Sequence, residues 1–220
     1  ARHQQQVLHR LGQLAVAGDE FLGHFRDLGE LKPTDHVLDI GCGIGRMARP
    51  LMGYLEGGSY DGFDVDREAI GWCRRRYKRH HNAHFQVADL FNARYNPNGA
   101  HRADEYRFPY ADGSFDFVLC TSVLTHLLEG DAAHYLGEMA RVLAPGGRLL
   151  ATFLLLDDDT RKATAEGGAM VAASGTTATA STAEAESAVG AGDGATIEAD
   201  SGEGAVRDVD SWAASCAGAS

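Results

Sequence analysis

The sequence predicts an α/β fold with a doubly wound, mainly parallel sheet, and three observations predict it. Short apolar runs of strand type alternate with helical patterns over residues 36–156. The first run, Val37, Leu38 and Ile40, passes through Gly41, Gly43 and Gly45 into a helical pattern. Acids stand at the ends of the first three runs, at Asp39, Asp64 and Asp89. Strands that alternate with helices pair in parallel through right-handed crossovers. Such a sheet takes its ligands at the carboxyl ends of its strands.

Residues 4–14 place Val7, Leu8, Leu11 and Leu14 on one helical face. Gly18 and Asp19 break that pattern, and Asp19 is read as the N-cap of a second helix. That helix carries Phe21, Leu22, Phe25 and Leu28 at helical spacing and has Gly29 as its C-cap. The two helices serve either as a cover for the sheet or as a lid over a ligand. Residues 32–35 turn into the first strand, His36–Ile40. The helix after the glycine turn begins at Arg46 and ends near Gly57. Ser59–Asp64 is the second strand, residues 67–80 a helix, and residues 84–88 the third strand, followed by Asp89.

Residues 92–110 form a polar connection with the turn signal Asn96, Pro97, Asn98, Gly99. Long loops of this kind are often functional. Its Tyr95, Tyr106, Arg107 and Phe108 either shape an acceptor pocket or simply pack. Phe115–Cys120 is the fourth strand. A helix over residues 132–143 follows, stopped by Pro145, Gly146 and Gly147, and residues 148–156 are the fifth strand.

Length and composition allow one domain with a real core. The chain has 220 residues, 44% hydrophobic and 23% charged. No apolar run reaches the roughly 18–20 residues of a membrane helix. Neither a signal-peptide core nor a CxxC pair is present, so the expected setting is the reducing cytoplasm. The net charge of −11 argues against a nucleic-acid partner. That charge is uneven, −5 over residues 1–160 and −6 over residues 161–220. The last segment is dominated by Ala, Gly, Ser and Thr and is almost empty of large apolar residues. It cannot offset the roughly 1–2 kcal/mol that ordering each residue costs. It therefore reads as a disordered tail or as residues translated out of frame. Three regions result: N-terminal helices at 1–29, a binding domain at 30–160 and a tail at 161–220.

The glycine turn is neither of the common phosphate-binding loops. A dinucleotide fingerprint would need Gly where Arg46 stands, and the Gly-Lys-Ser/Thr of a P-loop is missing. The pattern Asp39-x-Gly41-x-Gly43-x-Gly45 suits a ligand with a charged amino-acid end. Asp64, at the end of the second strand, can accept from both hydroxyls of a ribose, and is preferred to Asp66. Asp89 can accept from an adenine amino group.

These stretches, VLDIGCGIGR, GFDVD, FQVADL, FPYADGSFDFVLCTSVLTHL and RVLAPGGRLLATF, resemble in order the class I S-adenosylmethionine-dependent methyltransferases. The likeness spans about residues 30–156. It implies a Rossmann-like fold, S-adenosyl-L-methionine as cofactor, and methyl transfer to a small-molecule acceptor. It places Asp39, Gly41, Cys42, Gly43 and Gly45 at the methionine end and Asp64 with Val65 at the ribose. Asp89 and Leu90 would flank the adenine, with Cys120 and Thr121 near the transferred methyl. That family's sheet continues past the fifth strand with a further strand pair, for which this chain offers no candidate. The expectation is an uncovered apolar edge there. A catalytically incomplete remnant that still binds cofactor is the alternative this raises.

His126, after the fourth strand, is the candidate general base, needed only if the nucleophile arrives protonated. His80, His81 and His84 read as a polar approach to the third strand, so no metal is expected. The run Arg74, Arg75, Arg76, Lys78, Arg79 reads as a solvated helix face, with RNA methylation as its functional alternative.

Overall fold

The computed structural model describes residues 16–153 and 176–181. The helix expected over residues 4–14 lies outside them, as does nearly all of the segment after 160. The described chain runs α1 (residues 16–27), β1 (His36–Ile40), α2 (Ala48–Tyr54), β2 (Ser59–Asp64), α3 (Arg67–Arg76) and β3 (Ala83–Val87). It continues through β4 (Phe115–Cys120), a 3₁₀ turn (Leu124–His126), α4 (Glu129–Val142), β5 (Leu143–Phe153) and β6 (Thr176–Ser181).

The sheet order is β3-β2-β1-β4-β5-β6. The first five strands are parallel, as the alternation predicts, and β6 runs antiparallel to β5 from Arg148↔Ser181 to Phe153↔Thr176. This corrects the expected open edge. Six residues of the small-residue segment pair along β5, although their composition gave no strand signal. Among the described residues, β6 is the strand that borders β5 there.

Strand alternation sorts the core onto two faces. Val37, Tyr60, Phe85, Phe117, Leu119 and Leu150 face α1, α2 and α3. Leu38, Ile40, Phe63, Val118, Leu149 and Ala151 face α4 and the connection before β4.

Two local readings change. Helix α1 passes straight through Gly18 and Asp19, so Asp19 is no cap. A Cβ at Gly18 would stand 2.6 Å from the Arg46 carbonyl oxygen, and Asp19 pairs with Arg49 at 2.5 Å. Gly18 thus lets α1 approach the backbone just before α2, where a side chain would not fit. At its other end the positive φ belongs to Glu30 (49°), not Gly29. Strand β5 begins at Leu143, earlier than expected. A register slip opposite Phe115–Phe117 absorbs Pro145, Gly146 and Gly147, and Arg148 anchors the strand through a buried pair with Asp35 at 2.6 Å.

Candidate active site

The carboxyl ends of β1, β2 and β4 meet at the glycine turn. The Gly41 and Cys42 amides donate to the Phe63 carbonyl at 2.9 and 3.1 Å, tying the turn to β2. Gly41, Gly43 and Gly45 all have positive φ, at 72°, 51° and 74°. Gly41 is also sterically closed: a Cβ there would lie 2.2 Å from Val123 Cγ2. The segment after β4 therefore rests directly on the turn. Gly41→Ala is expected to destabilise the fold by about 1–3 kcal/mol through left-handed strain alone, before Val123 shifts. An unchanged thermal midpoint would refute this. Gly43 differs, since its Cβ would meet only Asp64 Oδ2, 4.0 Å away.

Asp39 is fully buried on the β1 face shared with Tyr60. Its Oδ2 accepts the Tyr60 hydroxyl at 2.6 Å, and its Oδ1 has no partner among the described residues. Burial pushes its carboxyl up to about 7, against the opposing hydrogen bond from Tyr60. A buried carboxylate oxygen without a partner is costly and suits a cationic ligand group.

Asp64 is half-buried. Its Oδ2 accepts the Gly43 amide at 2.8 Å and its Oδ1 the Asp66 amide at 2.9 Å. Burial raises its pKa, and the Asp66 and Gly43 amides oppose the rise. Each oxygen retains a lone pair for a further donor. Asp66 instead caps α3, its Oδ1 accepting from the Glu68 and Ala69 amides at 2.9 and 3.1 Å. The geometry thus separates the two acids. Val65, between them, packs against the core.

Asp89 follows β3 and is joined to β2 through the Ala88 amide, which donates to the Asp64 carbonyl at 2.9 Å. Its Oδ1 accepts from Arg67 at 3.1 Å and from Asn96 at 3.3 Å. Leu90 is buried in the core behind it.

The remaining expected residues are less exposed to a ligand than their order suggests. The Cys42 and Cys120 side chains are buried, and burial raises both thiols, so Cys42 offers the site its backbone. Thr121 is also buried. Ser122, at φ 59°, donates its amide to Thr152 Oγ1 at 2.8 Å, fixing the turn after β4. His126 is exposed at the end of the 3₁₀ turn, and its ring has no hydrogen-bond partner among the described residues.

Several supporting residues carried no signal in isolation. From α3, Cys73 Sγ reaches the Gly43 carbonyl at 3.4 Å and the Tyr77 hydroxyl reaches the Gly45 carbonyl at 3.2 Å. Their spacing of four is a helix-face signal, but what that face grips is set by tertiary packing. Tyr60 could be found by alternation, since Gly62 pairs with Asp39 and Tyr60 shares its face.

In the loop, Phe108 belongs to the core, 5.1 Å ring to ring from Phe63, while Tyr95 is exposed beneath Arg94. Of the basic run, Arg74, Arg75 and Arg76 lie in the last turn of α3, where cations complement the helix dipole, and Lys78 and Arg79 lie beyond its end. Arg74 Nε there donates to the Phe85 carbonyl at 2.8 Å. His84 faces Asp61 at 3.6 Å, and among the described residues no group of three potential ligands is placed to hold a metal ion. No helix among them is long and apolar enough to cross a membrane. Cys42, Cys73 and Cys120 are free thiols.

The methyltransferase domain family matches residues 38–151, just over half of the chain. The chain is 30% identical over 148 residues to the O-methyltransferase cnsE of Penicillium expansum, covering 64% of this chain and 46% of that protein. It is 31% identical over 157 residues to methyltransferase GfsG of Streptomyces halstedii, covering 70% of this chain and 51% of that one. Among solved structures it resembles the YcgJ protein of Bacillus subtilis, with TM-score 0.49 and 26% identity over 63% of this chain and 52% of that chain. The chain spans about half the length of the curated relatives it matches.

Proposed function

This chain belongs to the methyltransferase domain family, and on that premise we propose that it binds S-adenosyl-L-methionine across the carboxyl ends of β1, β2 and β3 and methylates a small molecule. The observation that carries the reading is one glycine turn with Asp39 two residues before it, its Oδ1 buried without a partner among the described residues, and with Asp64 bound to its open Gly43. These groups fit the cofactor. Asp39 would face the α-ammonium, the glycine turn would admit the methionine chain, Asp64 would take the ribose hydroxyls, and Asp89 the adenine amine.

When bound, the cofactor supplies a methyl group on a sulfonium, an electrophile with a good leaving group. The protein's own part is to align. Well-oriented reactions reach effective molarities of roughly 10^5–10^8 M, so positioning alone can carry much of the rate. Thr121 and Ser122 form the wall after β4, fixed by Thr152. His126, exposed and unengaged, would take a proton from an acceptor that arrives protonated. The exposure of Ile44, Phe91, Tyr95 and Leu128, all in segments that leave carboxyl strand ends, supports an acceptor with apolar surface.

Isothermal titration of the full chain with S-adenosylhomocysteine tests the site. The wild type is expected to bind one equivalent. Asp64→Ala removes two charge-assisted acceptors, each worth about 1.5 kcal/mol or more, and is expected to weaken binding by about 100-fold. Equal affinity in both proteins would sink the assignment. A metabolite screen with labelled cofactor then identifies the acceptor.

A further inference from the structure

The loop after β3 is built around one buried amide. Its backbone folds back twice, through a bridge between Leu90 and His101 and another between Asn92 and Asn96. Phe91 donates to the His101 carbonyl at 2.7 Å, and His101 to the Asp89 carbonyl at 3.1 Å. Gly99 closes against this backbone so tightly that a Cβ would lie 2.1 Å from the Leu90 carbonyl carbon. Asn96 ends up inside, 8% exposed. Its Nδ2 has two hydrogens and two partners, the Leu90 carbonyl at 2.9 Å and Asp89 Oδ1 at 3.3 Å.

Arg67, from the first turn of α3, reaches the same oxygen from the solvent side at 3.1 Å. Two donors on two different elements therefore converge on Asp89 Oδ1. Its Oδ2 has no partner among the described residues, on a side chain that is 46% exposed. Holding one carboxylate oxygen from two directions fixes the plane of the group and aims the other oxygen outward.

We propose that Asn96 and Arg67 are positioning residues for adenine recognition, holding Asp89 so that Oδ2 meets the exocyclic amine. This rests on the cofactor reading above. Recognition of that amine then depends on residues that never touch the ligand.

The test compares S-adenosylhomocysteine with the analogue carrying hydrogen in place of the adenine amine, by titration calorimetry on the full chain. The wild type is expected to prefer the amine by about tenfold, the worth of one hydrogen bond. Asn96→Ala and Arg67→Ala are each expected to reduce that preference below about threefold. Arg67 is exposed, so its replacement should leave the thermal midpoint in place, and Arg67→Lys should restore part of the preference. Asp89→Ala should abolish it. If Asp89→Ala abolishes the preference while Asn96→Ala and Arg67→Ala both keep it, the positioning role is overturned and the cofactor reading stands. If the wild type binds neither ligand, the cofactor reading falls and this inference falls with it.

Discussion

Replacing Asp39 with asparagine is expected to make the ligand-free protein more stable above pH 7 while weakening its grip on the cofactor. The carboxyl is fully buried, and burial, the largest influence on it, moves its pKa from 3.8 to about 7. The folded state therefore holds a proton that the unfolded chain has released. Between about pH 4 and pH 7 stability must fall as pH rises, because the folded state binds more protons. The favourable contribution is complete below pH 4 and gone above 7. The displacement is worth about 4 kcal/mol. Burial raises Asp61 and Asp64 too, with the same sign, so a shallower decline should remain in the variant.

Asparagine keeps the shape and an acceptor for the Tyr60 hydroxyl, but carries no charge to desolvate. Urea unfolding at pH 5 and pH 8 checks this: the variant should gain most at pH 8 and little at pH 5. Parallel profiles would refute the argument. The same buried charge would be stabilised by a ligand ammonium, so tighter folding and weaker S-adenosylhomocysteine binding should appear together. Cofactor binding near pH 6 should also release protons, visible as a dependence of the calorimetric heat on buffer ionisation.

Where sequence and structure agree, the signal is local. The boundaries of β1, β2 and β4 follow from apolar runs bounded by turns. Where they part, a distant contact decides. Asp19 is a good cap by residue type, yet its carboxylate meets Arg49 across the α1–α2 interface, so the helix starts before it. Asn96 heads a turn of the expected kind, its carbonyl accepting from Gly99 at 3.1 Å. That its side chain turns inward toward Asp89 is invisible to turn chemistry. Strand β6 is the extreme case. The small side chains of TTATAS do not announce a strand in the sequence, and its place comes from backbone pairing with β5.

Glu138→Ala is expected to be among the most destabilising single replacements in the described chain, at about 3 kcal/mol, because it leaves the buried Phe108 amide without an acceptor and strips Arg141 of its most buried carboxylate, with Asp112 as the remaining one. Glu138 is 8% exposed. Its Oε2 accepts the Phe108 amide at 2.7 Å, and Arg141 grips both oxygens at 2.8 and 2.7 Å. Arg141 also donates to the Phe108 and Tyr110 carbonyls at 3.0 and 2.9 Å and to Asp112 at 2.6 Å. One pair on α4 therefore holds the far end of the 92–110 connection and seats Phe108 between Phe63 and Tyr135. Burial opposes the Glu138 charge, but Arg141 and the Phe108 amide outweigh it and hold the carboxyl below the usual glutamate range. The pin is complete above that range and is lost as pH falls through it. Glu138→Gln keeps an acceptor for the Phe108 amide and should lose less than Glu138→Ala. Equilibrium urea unfolding of the three proteins checks the order. The same variants separate the loop's two ends: with the pin removed, proteolysis should begin within residues 102–112 while the Asn96 side of the loop stays protected. Equal stability of Glu138→Ala and the wild type would mean that Phe108 is held by packing alone.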